Sequence, residues 1–271
     1  MSTELPITLE GCKDFFIQAG GTDIAYLEHH WQRFFRTYEE VERTRPLQPS
    51  DQVLDIGAHW LHQAYIYAAR GCSVTALDMP ITMEDSNVIN AAGQLHISLK
   101  SETSLHDPQS LSATPENTFD LVLFTEIVEH ITFNPVNMWK EIYRVMKPGG
   151  RIVITTPNYY AWRGRLWNFK RFLTRFGGGI EISEILNLRT YAHHWKEYSL
   201  RELIYYFCLL SPDFNCIKYE HLRQFSNKYM QKDASRLDLL IEKIVPVLRP
   251  NLHLEVEIRE KSKGITLNPT W

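Results

Sequence analysis

Apolar residues recur at three-and-four spacing from about Asp23 to Arg43, with Ile24, Leu27, Trp31, Phe34, Tyr38 and Val41 on one stripe. That stripe predicts an amphipathic helix, with Thr22 or Asp23 able to cap its first turn and a loose start before it. From Gln52 the pattern changes to short apolar runs alternating with helical ones. Gln52–Ile56, Ser73–Leu77, His96–Leu99, Phe119–Thr125 and Arg151–Thr156 predict buried strands. Trp60–Ala69, Thr82–Ala92 and Val136–Met146 predict helices, the first closed by Gly71 and the last by Pro148-Gly149-Gly150. Strands alternating with helices in this way predict a doubly wound, mostly parallel α/β sheet with helices on both faces.

The alternation then breaks. Pro157–Leu188 is irregular, with a Gly177-Gly178-Gly179 hinge. A helix over Leu200–Leu210, a strand over Asn215–Glu220, a helix over Ala234–Val247 and a strand over Leu252–Arg259 follow. The two late strands are expected as an antiparallel edge pair. The expected division is an N-terminal helical extension over 1–50 and one α/β domain over 51–271, with a lid inserted after the fifth strand at 157–199.

Composition narrows the function classes. The chain has 271 residues, 44% hydrophobic and 23% charged, enough to bury a core without disulfides or metals as staples. Its longest apolar run, Leu203–Leu210, is far short of a membrane span, and Met1–Glu10 lacks the basic-then-apolar pattern of a signal peptide. Cys12, Cys72, Cys208 and Cys216 have no CxxC spacing, which argues against a thiolate zinc site and for a reducing compartment. These features predict a cytoplasmic protein. A net charge of −3 gives no global basis for nucleic-acid binding.

Val53-Leu54-Asp55-Ile56-Gly57 is a strand that ends on glycine and runs into a helix, the place where open α/β sheets bind ligands. The next strand ends in Asp78, an acidic residue placed to accept both hydroxyls of a ribose. VLDIG, the Ala76-Leu77-Asp78 strand end, FDLVLFTEIVEHI and MKPGGRIVITTPN resemble, in order and spacing, the class I S-adenosylmethionine-dependent methyltransferases. The resemblance runs from Gln52 to Asn158 and implies a seven-stranded, Rossmann-like sheet. It places Asp55 and Gly57, with Ala58 and His59, beside the methionine part of the cofactor. It puts Asp78 and Met79 at the ribose, Asp107 at the adenine, and Thr125 at the end of the fourth strand. The family's DxGxGxG loop reads Asp55-Ile56-Gly57-Ala58-His59-Trp60-Leu61 here, so His59 and Leu61 replace two glycines.

Glu126, Glu129 and His130 follow the fourth strand; in a helical turn starting at Glu126 they would share one face. Two carboxylates and an imidazole suit Mg²⁺ or Mn²⁺. The ubiquinone-pathway O-methyltransferases and the 2′-O-methyltransferases of small-RNA 3′ ends carry an ExxEH motif here, and the second group adds a later HxxEW(T/S). His194-Trp195-Lys196-Glu197-Tyr198-Ser199 resembles that second motif. The resemblance implies Glu126, Glu129, His130 and His194 as metal ligands clamping acceptor hydroxyls. His193 or one of the ligand histidines, His130 or His194, would take the proton. A histidine base without metal and a structural role for the cluster are the alternatives.

From Ile142 to Ile180 the chain has no Asp or Glu, and Trp162–Phe176 mixes Arg163, Arg165, Lys170, Arg171 and Arg175 with Trp167, Phe169, Phe172 and Phe176. Such a segment suits a polyanion or an anionic membrane surface, or it is a lid with its aromatics packed inward. The expected acceptor is a sugar hydroxyl of a polysaccharide or lipid-linked glycan, which would place the enzyme at the inner face of a membrane. A polyprenyl phenol, an RNA 3′ ribose and a non-catalytic scaffold are the other readings.

Overall fold

The computed structural model describes residues 5–162, 173, 182–187, 189, 192–223 and 236–269. Its core is a seven-stranded sheet of β1 (Gln52–Ile56), β2 (Ser73–Asp78), β3 (Ser98–Ser101), β4 (Phe119–Thr125), β5 (Met146–Pro157), β6 (Phe214–Leu222) and β7 (Asn251–Ile258). The order is β3-β2-β1-β4-β5-β7-β6. The first five strands run parallel, and β7 pairs antiparallel with both β5 and β6. The mostly parallel, doubly wound expectation and the antiparallel edge pair are both met.

The helices are α1 (Leu9–Gln18), α2 (Ile24–Thr44), α3 (His62–Ala69), α4 (Pro80–Met83), α5 (Ser86–Leu95), α6 (Gln109–Ser112), α7 (Val136–Val145), α8 (Ile182–Asn187), α9 (Leu200–Leu210) and α10 (Arg236–Ile244). Alternation along the strands divides the core. Val53, Leu121, Leu123 and Val153 pack with α1, α2, α3 and α5 on one face. Leu54, Ile56, Val122, Phe124, Ile152 and Ile154 pack with α7 and α9 on the other. The N-terminal helices thus share one apolar cluster with the sheet.

Several boundaries differ from the expected ones, each for a local reason. α1 fills the expected loose start; Thr8 caps it by accepting from Gly11 N, and it buries Cys12 and Phe16. The single helix expected over Thr82–Ala92 is two, because Asp85 accepts from the N–H groups of Asn87 and Val88 and starts a new helix. His96 and Ile97, read as strand, belong to the end of α5: His96 is left-handed (φ 55°) and Ile97 N bonds Ala92 O. The basic aromatic segment from Trp162 to Phe176 and the Gly177-Gly178-Gly179 hinge lie outside the described residues, apart from Trp162 and Leu173.

Ions fix α2 to the far side of the sheet. Arg151 on β5 is buried and donates to Glu255 Oε2 at 3.0 Å and to the carbonyls of Val41 and Arg45. Thr44 donates to the other oxygen of Glu255, and buried Glu40 pairs with Arg36, Arg43 and, from β6, Lys218. Among the described residues no helix is long and apolar enough to cross a membrane.

Candidate active site

The carboxyl ends of β1, β2 and β4 open into a cavity of about 850 Å³. Asp55, Gly57, Ala58, His59, Asp78, Met79, Thr125, Glu126 and His130 are among the residues that line it. Gly57 turns the chain at φ 77°, and its N–H bonds the Leu77 carbonyl; a Cβ there would stand 2.2 Å from Ile127 Cδ1. The two substituted glycine positions keep left-handed backbones, His59 at φ 47° and Leu61 at φ 65°. Asp78 is held at both oxygens, by the N–H of His59 at 2.7 Å and of Met79 at 2.6 Å. Asp55 is buried, with Oδ2 unpartnered, and burial together with the Asp78 charge pushes its pKa up to about 8.

Asp107 is a correction. It is exposed and does not line the cavity. The acidic side chain that does so beyond β3 is Glu102, fixed by the Ser110 N–H and hydroxyl and by the Thr103 N–H. Placing the third strand two residues early hid Glu102, which follows the strand end as closely as Asp78 ends β2.

The sequence also gave no sign that α2 walls the cavity. Tyr26, Arg33 and Phe34 reach it from that helix. Among the described lining residues Arg33 is the one Arg or Lys. Burial keeps His62 neutral, with a pKa lowered to about 3, and lowers His59 against the pull of Asp78.

The acidic and histidine cluster forms only in part as expected. No helical turn starts at Glu126, which is left-handed at φ 56°; a short 3₁₀ turn covers Val128–His130 instead. Glu126 therefore turns away, accepting from the Thr155 hydroxyl at 2.9 Å and lying 3.4 Å from Arg33 Nη1. Glu129, His130 and His194 do meet: one donor atom from each lies within 4.8 Å of the others. The returning chain brings His194 in, since the N–H groups of Trp195 and Lys196 both bond the Glu129 carbonyl.

The His193 carbonyl lies 3.0 Å from His130 Nδ1, which therefore donates to it and leaves the Nε2 lone pair on the side of Glu129 Oε1, 3.9 Å away. Glu129 is buried; Oε2 accepts from the Thr156 hydroxyl, while Oε1 has no hydrogen-bond partner. Burial, and after it the Glu126 charge, push the Glu129 pKa well up. An unpartnered buried carboxylate oxygen beside two imidazoles is a donor set whose chemistry fits a divalent cation.

Residues 54–154 match the family described as "Methyltransferase domain". A ubiquinone biosynthesis O-methyltransferase of Pseudomonas putida is 25% identical over 142 residues, 49% of this chain and 60% of the relative. The chain thus spans about three fifths of the length of that relative. An S-adenosylmethionine-dependent methyltransferase structure from Archaeoglobus fulgidus superposes with TM-score 0.52 at 17% identity, over 87% of this chain and all of that one. Phosphoethanolamine N-methyltransferase 2 of Haemonchus contortus, in complex with S-adenosyl-L-methionine, gives TM-score 0.53 at 16% identity, over 92% of this chain and 60% of that one. The sheet order and the superpositions give the chain the fold of the class I S-adenosylmethionine-dependent methyltransferases, and its residues 54–154 match the methyltransferase domain. Within that class it resembles the ubiquinone-pathway O-methyltransferases.

Proposed function

We propose that the protein is an S-adenosylmethionine-dependent O-methyltransferase assisted by a divalent cation, Mg²⁺ or Mn²⁺. The observation that carries this reading is the convergence of Glu129, His130 and His194 beside a cavity that already holds Asp55, Gly57 and Asp78. Asp78 takes the ribose hydroxyls, Asp55 faces the methionine part, and Arg33 offers a cation to its carboxylate. Glu102 takes the adenine-side role first expected of Asp107.

Methyl transfer is an in-line displacement. An acceptor oxygen forms a bond to the methyl carbon as the carbon–sulfur bond breaks, leaving S-adenosylhomocysteine, and the hydroxyl proton passes to a histidine. Glu129, His130 and His194 would hold the cation, whose bound chemistry is to lower the pKa of an acceptor hydroxyl and fix its approach. In that arrangement His193 is the base, because its neighbours are occupied as ligands.

The acceptor in this reading carries two adjacent oxygens. A sugar diol of a glycan, expected from the cation site together with the basic aromatic segment, is one such acceptor. The likeness to ubiquinone biosynthesis O-methyltransferases supports the other acceptor, a polyprenyl phenol. An anionic membrane surface is the partner proposed, supported by the face of α10 that exposes Leu237, Leu240 and Ile244.

The test is calorimetric titration of S-adenosylhomocysteine into EDTA-stripped protein, followed by Mg²⁺ and Mn²⁺. The reading expects cofactor binding and then a saturable cation site. Cofactor binding with no cation site would transfer the chemistry to a histidine base. Absence of both would make the chain a non-catalytic relative.

A further inference from the structure

Arg33 and Glu126 stand between the cofactor cavity and the donor group. Arg33 Nη1 lies 3.4 Å from Glu126 Oε2, Nη2 reaches only the Tyr26 hydroxyl at 3.5 Å, and buried Nε has no hydrogen-bond partner. A guanidinium offers five donors in a planar fork matched to two-point carboxylate binding, and here most of that fork is unused. The described cavity lining sets this single Arg against four carboxylates, Asp55, Asp78, Glu102 and Glu126. Any ligand with an α-carboxylate entering the cavity competes with Glu126 for the same fork.

Glu126 is held on its other oxygen by the Thr155 hydroxyl, three positions before Glu129 and outside the group formed by Glu129, His130 and His194. On its left-handed backbone the carboxylate points to Arg33 and Thr155, and these two partners hold it there, away from that group.

We propose that Arg33 couples the two sites. The cofactor's carboxylate draws Arg33 off Glu126, and the released Glu126 joins Glu129, His130 and His194 as a fourth donor, so cofactor and divalent cation tighten each other. This rests on the reading above that both ligands bind here. No covalent bond changes; one guanidinium exchanges one carboxylate for another. Linkage requires the two effects to be equal in size.

Calorimetry with S-adenosylhomocysteine and Mn²⁺ on the EDTA-stripped full chain reads the coupling directly. The wild type is expected to bind Mn²⁺ about tenfold more tightly in saturating S-adenosylhomocysteine, with the same factor in the reverse order of addition. Arg33→Met should bind S-adenosylhomocysteine more weakly. Without it, this variant should already bind Mn²⁺ as tightly as the cofactor-bound wild type. Glu126→Gln should bind S-adenosylhomocysteine more tightly than the wild type while its Mn²⁺ affinity no longer responds to cofactor. Equal Mn²⁺ affinity with and without cofactor in the wild type, or a coupling that survives in Arg33→Met, overturns the proposal alone. A wild type that binds S-adenosylhomocysteine but no cation overturns the cation reading and this proposal with it.

Discussion

The main-chain N–H of His59 donates to Oδ2 of Asp78 at 2.7 Å, from a residue that stands where the family pattern has glycine. His59 and Leu61 hold left-handed conformations that cost a side-chain-bearing residue about 1–2 kcal/mol. The loop has therefore kept its glycine-like path, and the bond to the ribose-side carboxylate comes from backbone. His59→Gly leaves that N–H in place and is expected to keep S-adenosylhomocysteine affinity within about threefold. Asp78→Ala removes the acceptor for both N–H groups and the ribose and should weaken binding by about tenfold or more. Isothermal titration of both variants checks the contrast.

Glu129→Ala and His194→Ala touch the acceptor side. Each is expected to lower methyl transfer by about a hundredfold or more while S-adenosylhomocysteine affinity changes little. Because Glu129 Oε1 has no partner, Glu129→Gln should melt no earlier than wild type in EDTA. In Mn²⁺ only the wild type should gain in melting temperature. Normal turnover by the two alanine variants would sink the mechanism.

Burial, and after it the Asp78 charge, push the Asp55 pKa up to about 8. Its carboxyl is therefore largely protonated at neutral pH in the cofactor-free protein. Ionised Asp55 favours the sulfonium charge of S-adenosylmethionine over the neutral thioether of the product. The ratio of S-adenosylmethionine to S-adenosylhomocysteine affinity should rise as pH passes upward through about 8, and Asp55→Asn should flatten that rise. Paired titrations from pH 6.5 to 9 read it.

Burial alone would raise the Glu40 pKa, but hydrogen bonds from Lys218 and Arg43 and the charges around them win and lower it to about 2. A folded pKa below the ordinary 4.5 stabilises the fold fully above that pH and is lost as pH falls toward 2. Urea melts between pH 5 and 3 should show falling stability, with a shallower slope in Lys218→Met.

The fold was legible because β1, β2, β4 and β5 are apolar on both faces and lie between helical stripes. The donor group was legible as residue types at set spacings. What escaped was direction: the left-handed backbone at Glu126 turns its carboxylate to Arg33, and no periodicity announces a single residue with positive φ. Arg33 escaped for a related reason, since it lies on the polar flank of an amphipathic stripe where a cavity-facing residue and a solvated one look alike. Glu102 was lost to a strand boundary set by two residues of helix cap.

On α10 the apolar face is turned outward: Leu237, Leu240 and Ile244 are 57%, 51% and 67% exposed, while Asp238 and Glu242 are buried. Co-sedimentation with vesicles rich in phosphatidylglycerol should capture the protein, and phosphatidylcholine alone should not. Leu240→Glu and Ile244→Glu, at exposed positions, should abolish capture with no fall in melting temperature.

Helix α2 is held by ions at its C-terminal half and shapes the cavity with its N-terminal half. Between Glu40 and Arg33 lie about two turns, roughly 10 Å of rigid rod. Mechanically it is a beam seated at both ends: ions tie one end to β5, β6 and β7, while buried Leu27 and Trp31 and the Lys13–Glu28 ion pair seat the end beside the cavity. A change at Lys218, on the edge strand of the sheet, is thus a change in the stiffness of the wall that carries Tyr26 and Arg33.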